Sequence, residues 1–221
     1  MNKFALISVS ILAIGVAGAA LAKDGKNIVT KDLDLSGFDR IDISGVYELD
    51  VEVGKEFSIE LSGPDDEMNR VETSVKNGVL YLDQREAKRG ERRRWNNNRE
   101  GIDAKITLPS LVALDVSGVV EGSIANIDSE NFELEISGVG DVELDGECGS
   151  FEADVSGVGD LDAEALECRS VSVKVSGVGD ASVFARDEVD ARVSGMGDID
   201  VYGSPEKVSK SDSMFADITV H

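Results

Sequence analysis

A five-residue phrase recurs along this chain, and it constrains the fold more than any other feature. The copies read Ser44-Gly-Val-Tyr-Glu48, Ser117-Gly-Val-Val-Glu121, Ser137-Gly-Val-Gly-Asp141, Ser156-Gly-Val-Gly-Asp160, Ser176-Gly-Val-Gly-Asp180 and Ser194-Gly-Met-Gly-Asp198. From Ser117 onward they are 20, 19, 20 and 18 residues apart, and a near-constant period marks a stack of equivalent units. Between copies, apolar and polar residues alternate: Phe132, Leu134, Ile136; Phe151, Ala153, Val155; Val171, Val173, Val175; Val189, Ala191, Val193, with Glu133 and Glu135 or Asp190 and Arg192 interleaved. Period two is the pattern of a strand with one buried and one wet face. Such a strand cannot bury its face alone. Stacking each repeat on the next, about 4.8 Å away, encloses a continuous apolar column.

The expected fold is therefore all-β, a parallel β-helix or solenoid with 18–20 residue coils. In that fold Val139, Val158, Val178 and Met196 are stacked equivalents. Glycines such as Gly138 and Gly140 are expected to take φ > 0 at sharp corners and to avoid a side-chain column where corners approach. Upstream, residues 28–84 hold less regular strand-like runs: Phe38 to Ile43, Tyr47 to Val53, Phe57 to Leu61, Val71 to Val75 and Val79 to Leu82. Gly54, Gly63-Pro64-Asp65 and Asn77-Gly78 separate them, and Asn-Gly between apolar runs is a strong hairpin signal. No segment after the leader has a convincing helical period. With 23 glycines, 3 prolines and 5% aromatics, the composition suits tight turns between short strands.

Residues 1–22 carry one cation, Lys3, then an apolar run ending in small residues at Ala20 and Ala22, the pattern of a signal peptide cleaved after Ala22. No cysteine follows for lipid attachment, and no membrane span is expected once the segment is removed. The expected organisation is a signal peptide at 1–22 and an N-terminal lead at 23–34. A single β-helical domain follows at 35–205, with a basic loop insert at 84–100 and the repeats at 117–205, and a closing strand or cap at 206–221. The protein is then exported, to the periplasm or to the extracellular medium or cell surface.

Asp and Glu number 44 against 22 Lys and Arg, a net charge of −22. That field repels phosphate backbones, so nucleic acid is excluded as a partner. The insert opposes it with seven basic and three acidic residues. There Arg92, Arg93, Arg94 and Trp95 are candidates to contact an anionic polysaccharide or lipid headgroup; the alternative is a solvated loop drawn to the acidic body.

The acid closing each phrase is the sharpest chemical feature. Stacked in register, Asp141, Asp160, Asp180 and Asp198, with Glu48 and Glu121 before them, form a like-charge column at about 5 Å spacing. Ca²⁺ could neutralise such a column. However, adjacent Gly140-Asp141 departs from the spaced Gly-x-Asp of Ca²⁺-binding β-rolls, and backbone N–H groups at the corners can serve the carboxylates instead. No cofactor is expected. Cys148 and Cys168 each lie eight residues before a repeat serine, Ser156 and Ser176. They occupy equivalent sites in neighbouring repeats, as a disulfide or as two inward thiols.

The series of phrases, together with Phe38-Asp-Arg-Ile-Asp-Ile43, Leu49-Asp-Val-Glu-Val-Gly54, Asn77-Gly-Val-Leu-Tyr-Leu82, Leu108-Pro-Ser-Leu111 and Tyr202-Gly-Ser-Pro205, resembles the head GIN domain family of autotransporter adhesins, exported bacterial β-helical domains. The resemblance runs from Leu35 to Pro205. It implies a right-handed β-helix outside the cytoplasm, and it brings no catalytic residues. Tyr47 and Val120 depart from the family at the second glycine of the phrase, as does the arginine-rich insert.

Enzyme signatures are close to absent. The only histidine is His221, the last residue, so the body lacks Ser-His and Cys-His pairs and His-based zinc sites. The function this supports is a non-enzymatic exported binding or scaffold module, adhesin-like or envelope-associated, whose partner is a protein, a glycan or an envelope component. The alternative is a carbohydrate-active enzyme, a polysaccharide lyase or hydrolase working with surface carboxylates.

Overall fold

The computed structural model describes residues 22–23, 26–86 and 101–221. Residues 1–21 of the expected signal segment and the cluster Arg92, Arg93, Arg94 and Trp95 lie outside the described residues.

The N-terminal region is a mixed β arrangement. Strand β1 (Ala22–Lys23) pairs antiparallel with β2 (Lys26–Leu33), followed by β3 (Arg40–Ser44), β4 (Val46–Val53) and β5 (Ser58–Pro64). The Gly63-Pro64-Asp65 turn is followed by one helical turn, α1 (Asp65–Met68), which a four-residue pattern was too short to announce and which buries Met68. Strands β6 (Val71–Lys76) and β7 (Val79–Gln84) form the hairpin around Asn77-Gly78. Both turn residues have positive φ, 52° and 82°, as a type I′ turn requires. Strand β8 (Ile102–Leu108) lies parallel to β4, with β5 antiparallel on its other side and β2 antiparallel to β5.

From here the repeats take over. Strand β9 (Ala113–Val116) leads into β10 (Val119–Ile136), β11 (Val139–Val155), β12 (Leu161–Val175) and β13 (Ala181–Val193). These four long strands pair in parallel and in chain order, Val119 opposite Val139, Phe132 opposite Phe151 and Phe151 opposite Val171. Burial enforces the register, because a one-residue slip would turn the buried Leu134, Ala153, Val173 and Ala191 to solvent. Register shifts, as between Ile124 and Ile127 and between Glu143 and Gly146, bend each strand midway. Upstream, β4 pairs with the first half of β10, while β9 and then β3 continue its second half. Downstream, β14 (Ile199–Tyr202) and β15 (Lys207–Ser211) pair with the two halves of β13, and β16 (Ile218–Val220) adds to β14. The result is an all-β chain in one mixed sheet that does not close. Its single core runs from Phe38 to Ile218 and includes the stacked rings of Phe132 and Phe151, 5.8 Å apart.

The corners bear out one expectation in part: the second glycines Gly159, Gly179 and Gly197 have positive φ of 154°, 155° and 137°, whereas Gly138 and Gly140 are not among the residues with positive φ. What they supply is room. The N–H of each repeat's central hydrophobe donates to a glycine of the preceding repeat, Val139 to Gly118 at 2.8 Å, Val158 to Gly138 at 3.0 Å, Val178 to Gly157 at 3.0 Å and Met196 to Gly177 at 3.0 Å. These bonds draw the corners so close that a Cβ on Gly157 would overlap the carbonyl oxygen of Gly138.

Candidate functional site

Stacked corners set the acids of the phrase in a column on the outside of the sheet. Each carboxylate reaches one repeat forward: Asp141 Oδ1 accepts from the Asp160 N–H at 3.1 Å, Asp160 Oδ1 from the Asp180 N–H at 2.9 Å, and Asp180 Oδ1 from the Asp198 N–H at 2.8 Å. The acceptors thus serve the next corner, where local Asx-type capping was the simpler expectation. Asp198 continues the series to the Asp217 N–H at 2.8 Å, and Asp217 ends it by accepting from its neighbour Ile218. Ser213-Met-Phe-Ala-Asp217 is therefore a seventh copy of the phrase that has lost both glycines. Ser, hydrophobe and acid still hold the first, third and fifth places, and that spacing was the available signal. Among the described residues no group of three or more His, Cys, Asp or Glu is arranged to hold a metal ion.

Two residues before each acid stands the central hydrophobe, and it faces outward. Val139, Val158, Val178 and Met196 are successive parallel bridge partners and lie 43–53% exposed, with Val119 joining the column opposite Val139. Val46 heads it opposite Val119. The 19-residue step that pairs Ile199 with Ile218 carries Met196 to Phe215, which is 76% exposed beside the 94% exposed Met214. An apolar ladder thus runs along the acidic one.

A second face is built where β7, β3, β9 and the second halves of the long strands lie side by side. Across it, Tyr81, Asp42, Asp115, Glu135, Asp154, Lys174 and Arg192 are consecutive register partners. Half-burial pushes the Asp115 carboxyl above its usual range, with Asp42 and Glu135 adding to the rise and Arg40 opposing it. Asp42 is raised as well, by burial first and by Asp83 second. Sequence reasoning missed this pair, since alternation marks both only as outward strand residues. Further along the face Lys174 Nζ bonds Asp154 Oδ2 at 2.8 Å. Arg192 turns to Asp190 on its own strand instead of extending that rung-to-rung ladder.

Cys148 and Cys168 are register partners joined by a disulfide, with Cα atoms 4.5 Å apart, tying β11 to β12 inside the core. Close by, Arg169 spans two repeats to reach Glu130 at 2.8 Å. His221 sits at the far end of the stack, its ring on Tyr202 with centroids 4.7 Å apart and Nε2 2.9 Å from Asp200 Oδ1. No helix among the described residues is long and apolar enough to cross a membrane.

Among solved structures, the chain is similar to a putative adhesin from Bacteroides fragilis, at 26% identity and a TM-score of 0.72 over 88% of this chain and 97% of that one. A putative lipid binding protein from Parabacteroides distasonis aligns at 20% identity and a TM-score of 0.46, over 89% of this chain and 98% of that one. A putative adhesin from Parabacteroides merdae aligns at 17% identity and a TM-score of 0.44, over 89% and 96%. No curated protein matches the sequence. Residues 37–205 match the family described as "Putative auto-transporter adhesin, head GIN domain", so this chain, with its stacked Ser-Gly-hydrophobe-Gly-acid corners, belongs to that family.

Proposed function

We propose that the chain is an exported, non-enzymatic binding module of the adhesin type, whose repeats wind as a right-handed parallel β-helix and whose outer columns carry the ligand. The observation behind this reading is the hydrogen-bonded acid column. The carboxylates of Asp141, Asp160 and Asp180 are each fixed by the backbone of the next repeat, so this part of the surface presents a preorganised array, which lowers the ordering cost of binding. The family's adhesin description and the Bacteroides fragilis neighbour support it. The leader at 1–22 supports export, with a mature chain starting at Lys23 and residing in the periplasm or at the cell surface, and an intact mass beginning elsewhere would contradict that start.

A second reading, a carbohydrate-active enzyme, draws on one feature: Asp42 and Asp115 are register partners on one face, with Arg40 acting on Asp115, and a pair of neighbouring carboxyls is what glycoside chemistry uses. One experiment separates the two. Purified protein is incubated with envelope polysaccharides and surface-protein fractions, and both retention and newly formed chain ends are measured. Retention without cleavage supports the binding module. Cleavage that Asp115→Asn abolishes overturns it in favour of the enzyme.

A further inference from the structure

We infer that the apolar ladder and the acid column beside it form one docking strip for a cationic amphipathic helix of a partner protein. The inference rests on the binding-module reading and names the partner's chemistry.

Three observations carry it. The first is the strip itself. Val119, Val139, Val158, Val178 and Met196 are about half exposed, and Met214 and Phe215 almost wholly so. The fold does not need apolar residues at places solvent reaches this freely, and a contiguous exposed apolar row on an otherwise polar surface marks an interaction site.

The second is charge. Two residues along from the hydrophobes stand Glu121, Asp141, Asp160, Asp180, Asp198 and Asp217, all exposed. The carboxylates of Asp141, Asp160, Asp180 and Asp198 are held in a row by backbone hydrogen bonds, so they cannot scatter away from a bound partner. Two copies meeting through this strip would press acid column against acid column on chains of net charge −22. Anionic headgroups are repelled in the same way. A neutral glycan would find aliphatic side chains along most of the row, where sugars favour aromatic faces. A partner with apolar residues flanked by Lys or Arg satisfies both columns.

The third is spacing. Rungs recur at about 4.8 Å, and same-face residues of an extended strand at roughly 6.6 Å, so a strand laid along the row falls out of step at once. Helical turns recur at about 5.4 Å, so the offset grows by only about 0.6 Å per rung and stays under half a rung over four rungs. From Val46 to Phe215 the column is about 29 Å long, the length of roughly five helical turns.

The probe is a synthetic five-turn peptide with leucines along one stripe and lysines on one flank, titrated into the full-length exported protein by fluorescence anisotropy at low and high salt. The wild-type chain is expected to bind it, more weakly as salt rises. Val158→Thr with Val178→Thr keeps the β-branched shape at exposed sites, so the melting temperature should hold while affinity drops about tenfold or more. Asp160→Asn with Asp180→Asn should weaken binding and flatten its salt dependence. Glu133→Gln with Glu152→Gln, on the other face, should change little. The proposal is overturned if the threonine pair binds as wild type does, since the attraction is then charge alone. It is equally overturned if the wild type is a dimer that the threonine pair dissolves, or if the ladder instead binds lipid vesicles. A wild-type chain that ignores the peptide yet retains envelope polysaccharide sinks the helix proposal and leaves the binding-module reading standing.

Discussion

The carboxylate ladder can be tested at its centre, Asp160, which donates its N–H to Asp141 and accepts the Asp180 N–H at 2.9 Å. Two opposing effects meet there. Removing the acceptor leaves the Asp180 N–H to water, and because the site is exposed the loss is about 1 kcal/mol, not the larger penalty of a buried orphan. Removing the charge relieves repulsion from Asp141 and Asp180, each about 5 Å away and worth about 0.8 kcal/mol in water before screening. Alanine loses the bond and gains the relief; asparagine keeps a bond and gains the same relief. At low salt, where screening takes part of that relief, Asp160→Ala should therefore sit near wild type and Asp160→Asn about 1 kcal/mol above it.

High salt shortens the Debye length to about 3 Å and erases the relief, so alanine then falls about 1 kcal/mol below wild type and asparagine returns close to it. The difference between the two variants, about 1 kcal/mol in asparagine's favour, should not depend on salt. Urea unfolding of the three proteins at two ionic strengths measures it. Equal stability of the Asn and Ala variants would refute the ladder as a structural device. Stabilisation of the wild type by Ca²⁺ that Asp160→Asn abolishes would refute it differently, by showing that the charge serves a bound cation.

A Cβ at residue 157 would overlap the Gly138 carbonyl oxygen, whereas one at Gly122 meets its nearest atom at 3.7 Å; Gly157→Ala should cost about 3 kcal/mol or more and Gly122→Ala about 1 or less, by urea midpoints. Reducing the Cys148–Cys168 bond opens a loop with a sequence separation of 20 and should cost on the order of 3 kcal/mol, read as a lower unfolding midpoint in dithiothreitol. Burial and Asp42 raise the Asp115 carboxyl above 3.8, so the native state holds this proton more tightly than the unfolded chain does. Stability from this group therefore falls as pH rises through the window between the two values and stays reduced above it. Asp115→Asn should be more stable than wild type at neutral pH and lose that advantage below about pH 3.8; parallel curves across acid pH would show that the carboxyl is not perturbed.

Much of the architecture was legible because each repeat restates its own evidence. Ser-Gly-Val-Gly-Asp fixes the corner, period-two alternation fixes which residues face the core, and the constant step fixes Phe132 opposite Phe151. Parity even gives the direction of the ladder: Ile136 and Val142 point inward, so Val139, an odd number of residues from each, points outward. The N-terminal half was less legible, since β5 and β2 pair antiparallel with partners the period does not name. Asp42 and Asp115 became neighbours through β3 and β9, which lie 73 residues apart in the chain; each stands two residues before a phrase serine, Ser44 and Ser117, so the repeat held that register although the wide gap between the two copies hid it. Asp217 was hidden for the opposite reason: the repeat survives there, but without the glycines that make it visible.

The glycine requirement also explains why an apolar ladder can stand in the open. Corner hydrogen bonds bring successive backbones too close for a Cβ at Gly138, Gly157, Gly177 and Gly195, so the hydrophobe between the two glycines has no side chain beside it. Its contacts are with its equivalents above and below, which leaves about half its surface to solvent. Stacking of that kind favours a β-branched residue, and valine fills most of the column. Threonine has the same branching and would be wetted without cost at such exposure, yet none of the seven positions carries it. Met196 and Phe215, which are not β-branched, hold the place in the last two copies. What the seven share is therefore apolar surface, not strand propensity. The fold sets the spacing and direction of the row and leaves its apolar chemistry unexplained, and the helix docking proposed above would supply a reason for it.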